Sequence, residues 1–135
     1  MYTDYIDNYL EEVKEIADKI DREELCRLAQ HIDRLTGRLF ILGVGGSAAN
    51  ASHAVNDFRK ILGIESYAPT DNVAELTARV NDDGWDTTMN RWLETSQLNK
   101  EDALLVFSVG GGSEHTSLNL LEAMKLGKEI GCKIF

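Results

Sequence analysis

The chain has 135 residues, 43% of them hydrophobic, with a formal net charge of −9 and a pI near 4.7. That length suits one domain with a real core, and an even spread of apolar residues excludes a disordered chain. The acidic balance argues against nucleic acid or an anionic membrane surface as a partner. No apolar run approaches the roughly 20 residues that span a bilayer. The acidic start "MYTDYIDNYL" lacks the basic-then-apolar order of a signal peptide, so a cytoplasmic location is expected. Cys26 and Cys132 show no metal spacing and read as buried small hydrophobes in a reducing compartment.

Residues 1–37 read as N-terminal helices. Tyr5, Ile6, Tyr9, Leu10, Val13, Ile16, Ala17 and Ile20 recur at helical spacing, and Leu25, Leu28, Ala29, Ile32 and Leu35 form a second stripe. Asp21 is placed to cap the second helix, with Glu24 in capping-box position. The first stripe is wide and rich in tyrosine, and suits either packing on its own domain or a neighbouring subunit. Residues 38–135 change pattern. "RLFILGV" is a buried parallel strand running into glycines, helix is expected from about Ala48 to Leu62, and "IESYAPT" is a weaker strand. Residues 71–80 read as a short helix, "NDDGW" as a turn cluster, and "DTTMNRWLETS" as a helix opened by Asp86. "ALLVFS" is a second clear strand, "HTSLNLLEAMKLGKEIG" a helix, and "CKIF" the start of a further strand. Trp85 and Trp92, seven residues apart, read as core. The alternation implies an α/β fold, a parallel sheet flanked by helices with a helical N-terminal extension. About three strands make a small sheet of this kind, as in the front part of a longer protein or a shortened form of one.

Two strand ends carry glycines before a helix, "GVGGSAAN" at 43–50 and "SVGGGSEHTS" at 108–117, with Ser47, Ser108 and Ser113 at their mouths. Such ends hold anionic ligands, because glycine lets backbone N–H groups approach and helix N-termini favour negative charge. The alternative is a pair of tight strand-to-helix turns. Neither loop has the lysine of a triphosphate loop. Gly43, Gly45 and Ala48 satisfy G-x-G-x-x-A formally, yet Glu65 sits at the near end of the second strand, where it cannot meet a ribose. A nucleotide also leaves the second loop unexplained. A monophosphate uses both.

On the helix after the first loop, Val55, Phe58 and Leu62 form the apolar stripe, and His53 and Asp57 lie nearly opposite, one turn apart. They are either a solvated ion pair or a proton-transfer or metal pair. His115 is a solvated loop residue, a ligand or a base. Asn81 and Asp82 are turn formers, or present amide and carboxylate groups to a polyol.

At these residues the sequence resembles the sugar isomerase (SIS) domain, and within it the phosphoheptose isomerase family, over essentially its whole length. The family's Gly-Asn-Gly-Gly-Ser loop is matched by "GVGGS", its His-x-x-x-Glu helix by "HAVND", its Asn-Asp turn by Asn81-Asp82 and its serine loop by "SVGGGS". The resemblance implies a flavodoxin-like sandwich and interconversion of sedoheptulose 7-phosphate and manno-heptose 7-phosphate, for surface polysaccharide. It implies substrate contacts at Val44, Gly45, Gly46 and Ser47, phosphate contacts at Ser108, Val109, Gly110 and Ser113, and hydroxyl contacts at Asn81 and Asp82. His53 and Asp57 would be the catalytic and zinc-binding pair, with the remaining ligands expected beyond residue 135, and no nucleotide is needed. Cytoplasmic homotetramers with sites shared between subunits are implied too. Asp57 replaces a glutamate, withdrawing the carboxylate by about 1.5 Å, and a misplacement near 1 Å can cost on the order of 100-fold in rate. Val44 replaces an asparagine, and in the second loop glycine and valine replace two hydroxyl residues, leaving backbone amides to compensate. A SIS module that binds sugar phosphate without turnover is the alternative those departures favour.

Overall fold

Asp21 sets the start of a helix by lending its carboxylate to backbone groups that have no partner within it. Its Oδ1 accepts the N–H groups of Glu23 at 3.0 Å and Glu24 at 3.1 Å, between helices α1 (Tyr2–Lys19) and α2 (Arg22–Asp33). Glu24 does not complete a capping box, since its carboxylate takes two bonds from Arg27. The computed structural model describes residues 2–113 and 115–135, and the chain divides into two units, residues 1–34 and 35–135. In the first unit no described residue of α1 is buried. Tyr5 is 72% exposed and Ile16 65%. Cys26 is likewise exposed on α2, against expectation, whereas Cys132 in the second unit is buried and burial pushes its thiol up.

The second unit is a four-stranded parallel sheet, each strand falling in a segment read as strand from the sequence. Its strands are β1 (Leu39–Gly43), β2 (Ser66–Tyr67), β3 (Ala103–Phe107) and β4 (Lys133–Ile134), in the order β2-β1-β3-β4. Every residue of β1 is buried, which is why its sequence reads as a continuous apolar run rather than an alternation. Side chains nevertheless alternate across the sheet. Phe40 and Leu42 join Leu104 in a core with Met89, Trp92, Leu93, Leu120 and Ala123, drawn from α5 (Thr88–Thr95) and α6 (Leu118–Ile130). Trp92 meets Phe40 edge-on, ring centroids 5.5 Å apart. Helix α3 (Gly46–Lys60) packs on β1 and buries Ala51 and Val55.

Three expectations fail between β2 and α5. Helix α4 covers Val73–Asp83, three residues beyond the expected end, because Asn72 caps its start and the helix runs until Gly84 takes φ 85°. Asp86 does not cap α5: it lies in a 3-10 turn at Trp85–Thr87, and Thr87, which precedes α5, gives it no capping bond, its hydroxyl donating instead to the Asp83 carbonyl at 2.9 Å. Trp85 in that turn is 40% exposed rather than core.

At the opposite end of the sheet from the strand termini that carry glycine, Arg38 and Asp102 directly precede β1 and β3. The Arg38 guanidinium donates to both Asp102 oxygens, at 3.2 and 2.8 Å, and to the carbonyls of Ser96 and Gln97. The Arg38 and Asn99 backbone N–H groups complete the carboxylate's shell. Asp102 is 1% exposed. Burial acts to raise its pKa, but the Arg38 side-chain and backbone bonds outweigh that and hold the carboxyl below its usual value. A depressed folded-state pKa stabilises the fold above the unfolded value near ~4 and stops doing so as pH falls through the folded value. Asp102→Asn strips Arg38 of its charged partner and is expected to cost about 3 kcal/mol in urea unfolding at pH 7. The variant should also lose less further stability than the parent as pH drops below ~4. Equal slopes in that acid range would show that the pair is not ionised in the fold.

Candidate functional site

Only Val44 and Gly45 separate β1 from α3, and the glycines on either side explain how so short a turn is possible. A Cβ on Gly43 would lie 2.4 Å from the Ser47 carbonyl oxygen, so strand and helix backbones approach as only glycine allows. Gly45 stands at φ 60°, ψ −123°, a region that a side chain denies sterically. The turn is closed by the Ser47 N–H donating to the Val44 carbonyl at 3.2 Å and the Ala48 N–H to the Gly45 carbonyl at 3.0 Å.

The second loop follows β3. Ser108 Oγ accepts the Gly111 N–H at 3.0 Å. Ser113 and Thr116 then pair in antiparallel fashion, each backbone N–H donating to the other's carbonyl, at 2.7 and 3.2 Å. Helix α6 begins at Leu118, later than expected, because Ser117 before it is left-handed, at φ 58°, ψ 37°.

The two loops meet. From β1 the chain crosses to β2 on one side and returns to β3 on the other, so the carboxyl ends of β1 and β3 flank the point where strand order reverses. Open α/β sheets hold their ligands at that place. A cavity of about 190 Å³ lies between Val44 and Ser47 of the first loop and Ser108, Val109, Gly110, Thr116 and Ser117 of the second, with Phe107 and Leu120 as apolar wall. Among the described residues four hydroxyls line it and no lysine or arginine does. Gly45 and Gly46 shape the turn without lining the cavity, and Ser113 does not line it. Thr116 and Ser117 were not singled out from the sequence. Their only signal was the hydroxyl pair just before the last long helix.

His53 and Asp57 come together on α3, with Nε2 and Oδ2 3.3 Å apart and side chains 78% and 45% exposed. Asn56, also not anticipated, donates its amide to the other Asp57 oxygen at 3.1 Å. Ser52 donates its hydroxyl to Asp71, tying the helix to the loop after β2. Neither His53 nor Asp57 lines the cavity. Asn81 and Asp82 are not in a turn: they occupy the last turn of α4, exposed, with the Asn81 amide donating to the Asp82 carboxylate at 2.7 Å. They too lie outside the cavity lining.

The SIS-domain sequence profile matches residues 1–135. The phosphoheptose isomerase of Syntrophotalea carbinolica is 31% identical over 98% of this chain and 71% of its own. The chain belongs to the phosphoheptose isomerase family of SIS domains. A phosphoheptose isomerase from Geobacter sulfurreducens is also 31% identical, over 89% of this chain and 67% of its own. Among solved structures, the phosphoheptose isomerase of Neisseria gonorrhoeae superposes with a TM-score of 0.84 at 26% identity, covering 99% of this chain and 74% of that one. The family's parallel sheet and helices are therefore those expected from the strand and helix order. Relative to the family pattern quoted above, Val44 stands at the cavity rim, where it offers the site a methyl-bearing wall and a backbone amide only.

Gly43, Gly45 and Gly46 serve the first turn differently, and substitution separates them. Gly45→Ala is expected to cost about 1–3 kcal/mol for its backbone angles alone, although nothing lies within 4 Å of the added methyl. Gly43→Ala should be at least as damaging, through its clash. Gly46→Ala, with open space and a helical position, should leave stability unchanged or raise it by up to about 1 kcal/mol. Thermal unfolding of the three variants checks the order.

Proposed function

We propose that this chain acts as a phosphoheptose isomerase, interconverting sedoheptulose 7-phosphate and manno-heptose 7-phosphate through an enediolate. The observation that carries this reading is the single cavity at the sheet's switch point, which two glycine-serine loops build and hydroxyls line. Ser47 and Ser108 can donate their hydroxyls to phosphate oxygens, and the N–H groups of the loops add donors that glycine leaves uncovered. Held there, the phosphate contributes binding energy remote from the reacting carbons. Asp57 is the base that takes the proton from the carbon beside the carbonyl and returns it to the neighbouring carbon. The Asn56 amide occupies one of its oxygens and leaves the other facing His53. Asn81 and Asp82 bind the sugar hydroxyls.

The same pair suits zinc. The 3.3 Å between His53 Nε2 and Asp57 Oδ2 is close to the ~3.4 Å between two donors on one tetrahedral zinc with bonds near 2.05 Å. Among the described residues no group of three or more His, Cys, Asp or Glu gathers to hold a metal, so His53 and Asp57 would supply two donors and the others would come from outside this set. Bound zinc would polarise the carbonyl and enediolate oxygens.

A second copy completes the reading. His53 and Asp57 are exposed and do not line their own chain's cavity, and the open apolar stripe of α1 offers a surface for assembly. We take the working form to be a homotetramer with shared sites, cytoplasmic, supplying heptose for polysaccharide. Among the described residues no helix is long and apolar enough to cross a membrane.

Incubation with sedoheptulose 7-phosphate in deuterated water tests the reaction. Deuterium should enter at the carbon next to the carbonyl, and Asp57→Asn should lower kcat by about 100-fold or more while sugar-phosphate binding changes less than threefold. Tight binding without any label would favour the non-catalytic module, for which the shortened side chain at Asp57 speaks.

A further inference from the structure

We propose that Asp71 is a positioning residue, which through its bond to Ser52 sets where His53 and Asp57 project from α3, an assignment that rests on the isomerase reading above. A helix packed on a sheet can roll about its own axis unless its flank is tied. With side-chain tips about 5–6 Å from that axis, a roll of about 10° moves a carboxylate by about 1 Å, and a shift of that size can cost on the order of 100-fold in rate. Ser52, Asn56 and Arg59 share one flank of α3, and both ends of that flank are tied. Arg59 donates to the Ser66 carbonyl on β2 at 3.1 Å and stacks its guanidinium 5.1 Å from the centre of the Tyr67 ring. At the other end the Ser52 hydroxyl donates to the Asp71 carboxylate. His53 and Asp57 lie between the two ties.

The segment that carries Asp71 is itself anchored. Ala68 and Pro69 are buried after β2, and the Asp71 N–H donates to the Ala68 carbonyl at 3.2 Å. The carboxylate therefore stands on a fixed base, and a hydroxyl bonded to a carboxylate is roughly twice as strong as a neutral pair. The next residue, Asn72, accepts the Glu75 N–H at 3.2 Å as the cap of α4. Two consecutive residues thus hold the two helices that carry the proposed base and the proposed hydroxyl binders. Asp71 is not part of the cavity wall, so its effect passes through Ser52 and not through the ligand.

Turnover of sedoheptulose 7-phosphate, thermal melting and NMR of the His53 ring test the assignment. Asp71→Ala should lower kcat about tenfold and leave KM within about twofold, with Tm within about 2 °C of the parent. Ser52→Ala should do the same, and the double variant should lose no more than either alone, because both substitutions remove one bond. Asp71→Asn should recover kcat to within about threefold of the parent, since an amide oxygen accepts the same hydroxyl. The His53 ring signals should move in both alanine variants and return in Asp71→Asn. Losses that multiply in the double variant overturn the assignment, as does a loss in Asp71→Asn as large as in Asp71→Ala, which would make the charge and not the bond responsible. An unchanged kcat in Asp71→Ala overturns it too, whether or not Tm falls. Should the parent take up no deuterium from labelled water, the isomerase reading falls and the spectra alone decide the placement. His53 signals unmoved by Asp71→Ala then overturn it, and signals shifted there and restored in Asp71→Asn uphold it.

Discussion

The contact on which the site depends is the near-touching of two backbones, that of Gly43 at the end of β1 and that of Ser47 in the first turn of α3. No side chain fits between them. Because the strand turns into the helix within two residues, the N-terminus of α3, the positive end of the helix dipole, faces the carboxyl end of the sheet at close range, where an anion would sit. Ser47 reaches the cavity for the same reason. A longer connection would carry the helix start away from β3 and separate the two loops that share the cavity.

The ends of the sheet divide the work. At the amino ends of β1 and β3, Arg38 and Asp102 use nearly all their hydrogen-bonding capacity on one another and on nearby backbone. That arrangement ties the starts of the two central strands together. At the carboxyl ends the polar groups are hydroxyls and amides with capacity to spare. Stability is concentrated at one end and recognition at the other, a separation that lets the loops vary without loosening the sheet.

Much of this was legible in residue order. β1 and β3 announce themselves because burial of all of β1 and of the first three residues of β3 leaves unbroken apolar runs, and Asp21 announces α2 because a carboxylate there satisfies two N–H groups at once. The misreadings have physical causes. "NDDGW" looks like a turn by composition, yet polar residues tolerate the last turn of a helix that Gly84 alone terminates. Glu24 stands at capping-box spacing, but Arg27 three residues on competes for its carboxylate and wins. Ser113 follows three glycines much as Ser47 follows two, and spacing alone assigns them equal roles. Only the bonds from His115 and Thr116 show that one oxygen is committed to the backbone, information that long-range folding supplies and local sequence does not.

The cavity wall raises a last question of electrostatics. A chain of formal charge −9 whose candidate phosphate cup contains no cationic side chain must recognise an anion against its own field. Neutral donors can do so in a partly enclosed space, where hydrogen bonds strengthen as water is excluded, but they act only at contact distance and steer nothing from afar. Recognition then depends on how many O–H and N–H groups converge and how rigidly they are held. That is why the conformational demands at Gly45 and Ser117, one on each loop, matter more here than any single charge. It also follows that a bare anion gains little from such a cup, and that affinity must come from the sugar as well as the phosphate, the condition under which remote binding energy can be directed to the reacting carbons.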